Sequence, residues 1–179
     1  MRIIAGKYGG RKIHPPAKMP YTRPTTDVAK EGLFNILENN VDISSLETLD
    51  LFGGTGSITY ELASRGAKKL TIVEKDPKMY AFIKNNMERL AIENCTIHKA
   101  DVFSFIAHTE NTFDFIFAGP PYALEEITML PGLVANKNLL NKNGWFILEH
   151  TPANNFELEP MFKTRRKYGT TVFSFFINK

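Results

Sequence analysis

Gly119-Pro120-Pro121-Tyr122 follows the apolar run Phe113-Asp114-Phe115-Ile116-Phe117-Ala118 and is the segment best suited to chemistry on a flat, nitrogen-bearing ring. The two prolines stiffen the backbone, so the Pro120 carbonyl is placed as an acceptor before any ligand arrives. Tyr122 offers a ring on which a nucleobase drawn out of its helix can stack. Taken alone, the same four residues also describe an ordinary rigid turn. A cofactor signature elsewhere in the chain decides between the two readings.

Such a signature lies upstream, in Leu49-Asp50-Leu51-Phe52-Gly53-Gly54-Thr55-Gly56-Ser57. Glycines after a strand let the backbone approach a ligand and present N–H groups at the start of the next helix. The dinucleotide fingerprint asks for glycine or alanine three residues after its second glycine; Thr59 stands there, which favours a ligand without a pyrophosphate. Glu74, in Val73-Glu74-Lys75-Asp76, lies 20 residues past Gly54, where a carboxylate can accept both hydrogen bonds of a ribose diol. A solvated strand-end acid is the alternative. Asp101, in Ala100-Asp101-Val102, can accept from an adenine amino group or simply cap the following helix. Three polar sites at three successive strand ends describe an adenosine-shaped ligand. The candidate cofactor-binding residues are Asp50, Phe52, Gly53, Gly54, Gly56, Glu74, Lys75, Asp101 and Val102. Glu149, ending a fifth strand, either helps shape the pocket or is a plain strand-end acid.

The elements that must position these residues are legible from periodicity. Strands are expected over 48–52, 70–74, 96–98, 113–118 and 145–150, with helices over 56–65, 77–91, 102–107 and 125–134. The strands are short and apolar on both faces, as in a parallel sheet covered on both sides. Residues 163–168 and 171–177, joined at Gly169, read as an antiparallel hairpin. The expected fold class is α/β, a Rossmann-like, mostly parallel sheet finished by that hairpin. Ahead of it, Arg2–Ala5 and Arg11–Ile13 flank Gly6-Lys7-Tyr8-Gly9-Gly10 as a short hairpin. Prolines at 15, 16, 20 and 24 then keep the chain extended. Thr26 or Asp27 caps a helix with apolar Ala29, Leu33, Ile36 and Leu37. A single domain over 1–179 is expected, with a basic arm over 1–24 and a catalytic core over 25–179.

Charge is unevenly spread. The net charge is +3, but residues 1–30 hold seven of the 22 Lys and Arg and one of the 19 acids, Asp27, for a local balance of +6. That suggests a polyanion held at one end, or a solubilising tail. Lys163, Arg165, Arg166 and Lys167 look like an exposed strand face, where charge blocks edge-to-edge pairing. Cys95 rules out an intrachain disulfide and is expected to be a small buried strand residue. His14, His98, His108 and His150 show no metal-ligand spacing, so no metal is expected. No apolar run reaches bilayer length, and the N-terminus is wrong for a secretory signal. A cytoplasmic protein is the expectation.

Over nearly its full length the sequence resembles the bacterial 16S rRNA guanine-N2 methyltransferase family. The resemblance is carried by RIIAGKYGGRKI, TRPTTDVAKEGLFNIL, LDLFGGTGSITYELASRGA, VEKD, the Asn85-Asn86 pair and the Pro-Pro-Tyr loop. It implies methyl transfer from S-adenosylmethionine to the N2 amine of a guanine in 16S rRNA, within an assembled or assembling small subunit; a monomer is the separate expectation. It also implies that Gly119, Pro120, Pro121 and Tyr122 form the catalytic loop, and that Arg2, Lys7, Arg11, Lys12 and Arg23 meet the RNA. Enzymes of this type carry Asp or Asn where this chain has Gly119. The amine's lone pair is delocalised into the ring, and the acid and a proline carbonyl together pull its nitrogen towards tetrahedral geometry. A hydrogen bond to a charged group is worth about 1.5–3 kcal/mol, and each ~1.4 kcal/mol is tenfold in rate. A slowdown of roughly one to two orders of magnitude, rather than abolition, is therefore expected unless water or another group substitutes. Adenine-N6 methylation on DNA, or RNA binding with cofactor affinity and little turnover, are the alternatives.

Overall fold

The computed structural model describes residues 1–17 and 25–179. Helix α1 (Asp27–Glu38) starts where the Thr26 hydroxyl accepts the Ala29 N–H at 3.2 Å. It is followed by β1 (Glu47–Asp50), α2 (Ser57–Ser64), β2 (Lys69–Val73), α3 (Pro77–Leu90), β3 (Cys95–His98) and α4 (Val102–His108). Then come β4 (Phe113–Ala118), α5 (Leu130–Asn136), β5 (Leu140–His150), β6 (Phe162–Tyr168) and β7 (Thr171–Ile177). Asp76 caps α3, accepting from the Lys78 and Met79 N–H groups at 2.9 Å, with Pro77 in the first turn, where its missing N–H costs nothing.

Among the described residues seven strands form one sheet in the order β3-β2-β1-β4-β5-β7-β6. The first five are parallel; β7 is antiparallel to both β5 and β6, so the C-terminal hairpin turns back between them. Its outer strand, β6, exposes Lys163, Arg165, Arg166 and Lys167 as expected for an edge. The chain winds outward from β1 to β3, then restarts at β4 on the other side. The switch point therefore falls between β1 and β4, where ligands bind in open α/β sheets. One face of the sheet packs Leu33, Phe34, Ile58, Ile83 and Phe173 under α1, α2 and α3. The other packs Ile106, Ile116, Leu130, Val134 and Phe146 under α4 and α5.

Three local expectations need correction. The helix expected over 125–134 is a 3₁₀ turn, Glu125–Met129, followed by α5. Pro131 cannot donate inside a helix, so the chain starts a new helix with it in the first turn. Strand β5 begins at Leu140, not Trp145, because Asn141-Lys142-Asn143-Gly144 hides a strand that pairs with β4 through a register shift at Phe113 and Phe115. Cys95 is only partly buried, since β3 is the other edge strand.

The N-terminal hairpin is real but minimal. Arg2 and Lys12 form one antiparallel bridge, supported by Ile3 N–H to Arg11 O (3.0 Å) and Gly10 N–H to Ile3 O (2.8 Å). It is not a free arm. Ile3, Tyr8 and Ile13 are buried in the same cluster as α1 and α2.

Candidate active site

Asp50 ends β1 and braces the glycine turn from beneath. Its two oxygens accept from Phe52 N–H (3.3 Å) and the Thr59 hydroxyl (3.0 Å). Burial raises its pKa to about 7, against the pull of those two hydrogen bonds; the nearby Glu74 and Glu149 carboxylates add to the rise. Gly56 has φ of +77° and starts α2, and a Cβ there would enter the Tyr60 ring at 2.6 Å. Only glycine fits both conditions.

Glu74 lies just past β2 and ties the turn to the neighbouring strand. Its carboxylate accepts from Gly54 N–H and Asp76 N–H, each at 2.7 Å. Asp101 caps α4 through the Phe103 and Ser104 N–H groups at 3.0 and 3.3 Å, so the capping alternative is realised. Its second oxygen is 3.9 Å from the exposed Lys75 ammonium. Phe52 is partly buried at the same end, whereas Val102 is buried in the core beneath α4.

The Gly119–Tyr122 loop leaves the adjacent strand. Asp50 stands opposite Phe117 in the β1–β4 pairing, so the glycine turn and Gly119–Tyr122 emerge side by side. Pro121 O accepts the Leu124 N–H at 2.9 Å, closing a turn that holds the loop. Tyr122 is 39% exposed. A Cβ built on Gly119 would lie 3.0 Å from the edge of Phe117 and 3.6 Å from Glu149 Oε2. Glu149 comes from β5, is 5% exposed, and accepts a hydrogen bond from the Thr25 hydroxyl at 2.6 Å.

His150, next along β5, is buried; burial lowers its pKa, and its ring contacts Thr151 O and the Ser174 hydroxyl, each at 2.8 Å. Among the described residues no cluster of His, Cys, Asp or Glu could hold a metal ion. No helix among them is long and apolar enough to cross a membrane.

The basic hairpin is held by a buried polar network that periodicity alone did not reveal. Glu61 of α2, fully buried, accepts from Ile4 N–H (2.8 Å), Ala5 N–H (3.1 Å) and Arg65 Nη2 (2.9 Å). Lys30 Nζ, 3.7 Å from Glu61, donates to Arg2 O at 2.6 Å and to the Ser57 hydroxyl at 3.3 Å. Burial lowers the Lys30 pKa, and Glu61 opposes that shift. Ser64 accepts the Lys7 N–H on its carbonyl (2.7 Å) and the Tyr8 N–H on its hydroxyl (2.9 Å). Gly6, at φ of +78°, passes so close to the Ser64 carbonyl that a Cβ would collide with it. Lys30 therefore cannot reach a polyanion, although Arg2, Lys7, Arg11 and Lys12 remain exposed. Arg23 lies outside the described residues. Lys30 shares a helical stripe with Leu33, Phe34 and Leu37, and a lysine on an apolar stripe was the available signal.

A parallel sheet closed by an inserted antiparallel hairpin, with acids at its strand ends and a Pro-Pro-aromatic loop at the switch point, is the architecture of the Rossmann-like methyltransferases. Residues 1–177 match the family model described as Conserved hypothetical protein 95. Ribosomal RNA small subunit methyltransferase D of Haemophilus influenzae is 35% identical, covering 83% of this chain and 78% of its own length. The protein of that name from Buchnera aphidicola is 30% identical over 93% of this chain and 88% of its own. The chain belongs to this methyltransferase family. A solved structure of a hypothetical protein from Thermus thermophilus superposes with a TM-score of 0.86, at 27% identity and 98% coverage of both chains. A Thermus thermophilus 16S rRNA N2 methyltransferase, solved with AdoMet and guanosine, shares the fold. Its TM-score is 0.69 and its identity 23%, over 87% of this chain and 44% of that one.

Proposed function

We propose that this chain transfers a methyl group from S-adenosylmethionine to the exocyclic N2 amine of a guanine in 16S rRNA. The observation that carries the reading is the emergence of the glycine turn and the Pro-Pro-Tyr loop from adjacent, registered strands, Asp50 opposite Phe117. The family's named relatives act on small-subunit rRNA, which supplies the substrate class.

The donor set fits the cofactor. Glu74 spends one acceptor site on each oxygen in holding the turn, and a carboxylate has about four, so both oxygens can still take ribose hydroxyls. Asp101 is half-exposed beside them and available to an adenine amine. When bound, S-adenosylmethionine supplies an electrophilic methyl group on a cationic sulfur. The acids Asp50, Glu74 and Glu149 make this end of the sheet favourable to a cation.

Tyr122 stacks on the extruded guanine, and the Pro120 carbonyl accepts one hydrogen of its amine. The nitrogen lone pair then forms the C–N bond as the C–S bond breaks, its electrons staying on sulfur, and the surplus proton leaves nitrogen. Arg2, Lys7, Arg11 and Lys12 hold phosphates on a fixed hairpin, and Arg23, by its charge alone, is a further candidate contact. The acting species is a cytoplasmic monomer, and its substrate the assembled or assembling small subunit. Methyl transfer to unmodified small subunits, with duplex DNA as control, tests this. Calorimetry showing no cofactor binding at millimolar ligand, or transfer to DNA alone, would overturn it.

A further inference from the structure

The loop at 119 has lost the side chain that would hold the amine's second hydrogen, yet the space beside it contains a carboxylate. We propose that Glu149 is the side-chain acceptor of the reacting amine, taking the role of the acid missing from Gly119. This rests on the amine-methylation reading above.

Three observations carry it. A side chain at 119 would start 3.6 Å from Glu149 Oε2, so the carboxylate borders the volume such a side chain would enter. The approach is set by the sheet: β4 and β5 are parallel, with Ala118 opposite Leu148, so Gly119 and Glu149 sit one residue further along neighbouring strands. Glutamate is one methylene longer than aspartate, and it reaches from the next strand towards what aspartate would reach from the loop. Finally, Glu149 is held in place. It is buried on β5 opposite Phe173, and Thr25 Oγ1 donates to the oxygen that faces position 119. A carboxylate oxygen accepts more than one hydrogen bond, so the Thr25 bond orients Glu149 and is compatible with a second bond to the same oxygen.

In the transfer step the amine donates one N–H to the Pro120 carbonyl and the other to Glu149 Oε2. As the nitrogen lone pair forms the C–N bond and the C–S bond pair goes to sulfur, nitrogen becomes cationic. It then releases the proton on the Glu149 side, through the carboxylate to water.

The test is single-turnover methyl transfer to unmodified small subunits by the full chain, with S-adenosylmethionine affinity measured by calorimetry on every variant. Glu149→Leu keeps volume and removes the acceptor; with cofactor at a concentration that saturates each variant by calorimetry, the expected loss is about 10- to 100-fold in rate. Glu149→Gln keeps an acceptor oxygen and should fall between that variant and the parent. The decisive arm is rescue: Gly119→Asp placed on Glu149→Leu should recover at least tenfold. Thr25→Val, which removes the Thr25 bond and keeps the carboxylate, should lose less than Glu149→Leu. A Glu149→Leu chain as fast as the parent overturns the inference. So does a slow one that binds cofactor and is not rescued from position 119. If instead the parent binds cofactor and methylates no RNA, the functional reading itself falls, a result distinct from both.

Discussion

Thr25 Oγ1 donates to Glu149 Oε2 at 2.6 Å across 124 residues of sequence. The bond fastens the approach to α1 to the end of β5, beside the reacting loop. The end of the chain that carries the basic hairpin is thus joined to the strand end beside Gly119.

Gly119→Asp is expected to help less than the sequence suggests. Restoring the acid alone would speed the reaction, but the new side chain starts 3.6 Å from Glu149 Oε2, and two carboxylates that close cannot both stay ionised. The expected gain at neutral pH is under about threefold by this like-charge argument. Gly119→Asn supplies an acceptor without the second charge and should be the faster of the two. Single-turnover rates at pH 7 and 8 decide the order.

Asp50 predicts a pH dependence of stability. Its pKa is about 7 in the folded chain against an ordinary 3.8, so between those values the unfolded chain holds fewer protons than the folded one. Stability therefore falls as pH rises from about 4 to 7 and is level above, as linkage requires. Asp50→Asn should flatten that part of the profile in thermal melts. The same group predicts that affinity for the cationic cofactor strengthens as pH rises through 7, and calorimetry at pH 6 and 8 should show that only with Asp50 present.

Removing Glu61 should cost far more than an exposed acid. Glu61→Ala strands the Lys30 ammonium and two backbone donors of the hairpin, and breaking a buried pair from one side costs about 3–5 kcal/mol. Urea denaturation measures this directly. If the variant still folds, KM for the small subunit should rise more than kcat falls, because the hairpin is loosened while the reacting loop is not.

Neutralising Arg2, Lys7, Arg11 and Lys12 should weaken RNA binding and flatten its salt dependence, since each phosphate contact adds about 0.7–0.9 to the slope of log K against log salt. Lys30→Met should not change that slope, because Lys30 is 1% exposed. Binding titrations at several salt concentrations separate the two.

Where hydrophobic periodicity was uninterrupted, the sequence was enough: β4 runs over Phe113–Ala118 as expected, and α3 ends within a residue of its expected limit. Elements interrupted by proline or hidden by polar residues were less legible, as α5 and the first half of β5 show. The candidate site was legible as a set of strand ends, because topology alone brings Asp50, Glu74 and Gly119 to the carboxyl end of the parallel strands. Contacts across distant segments were not. Nothing in the spacing of Thr25 and Glu149, or of Ile4 and Glu61, marks them as partners. For the same reason Lys30 counted with the arm's charges until its burial was seen.

Helix α2 is eight residues long, about 12 Å at 1.5 Å per residue. Its first turn grows out of the glycine loop, and its last turn, through Glu61 and Ser64, grips the hairpin. The basic hairpin and the glycine turn are thus seated on two ends of one short rod. A chimaera built to redirect this scaffold to another RNA would have to graft the hairpin together with α2, because neither can be swapped without re-cutting the other's seat.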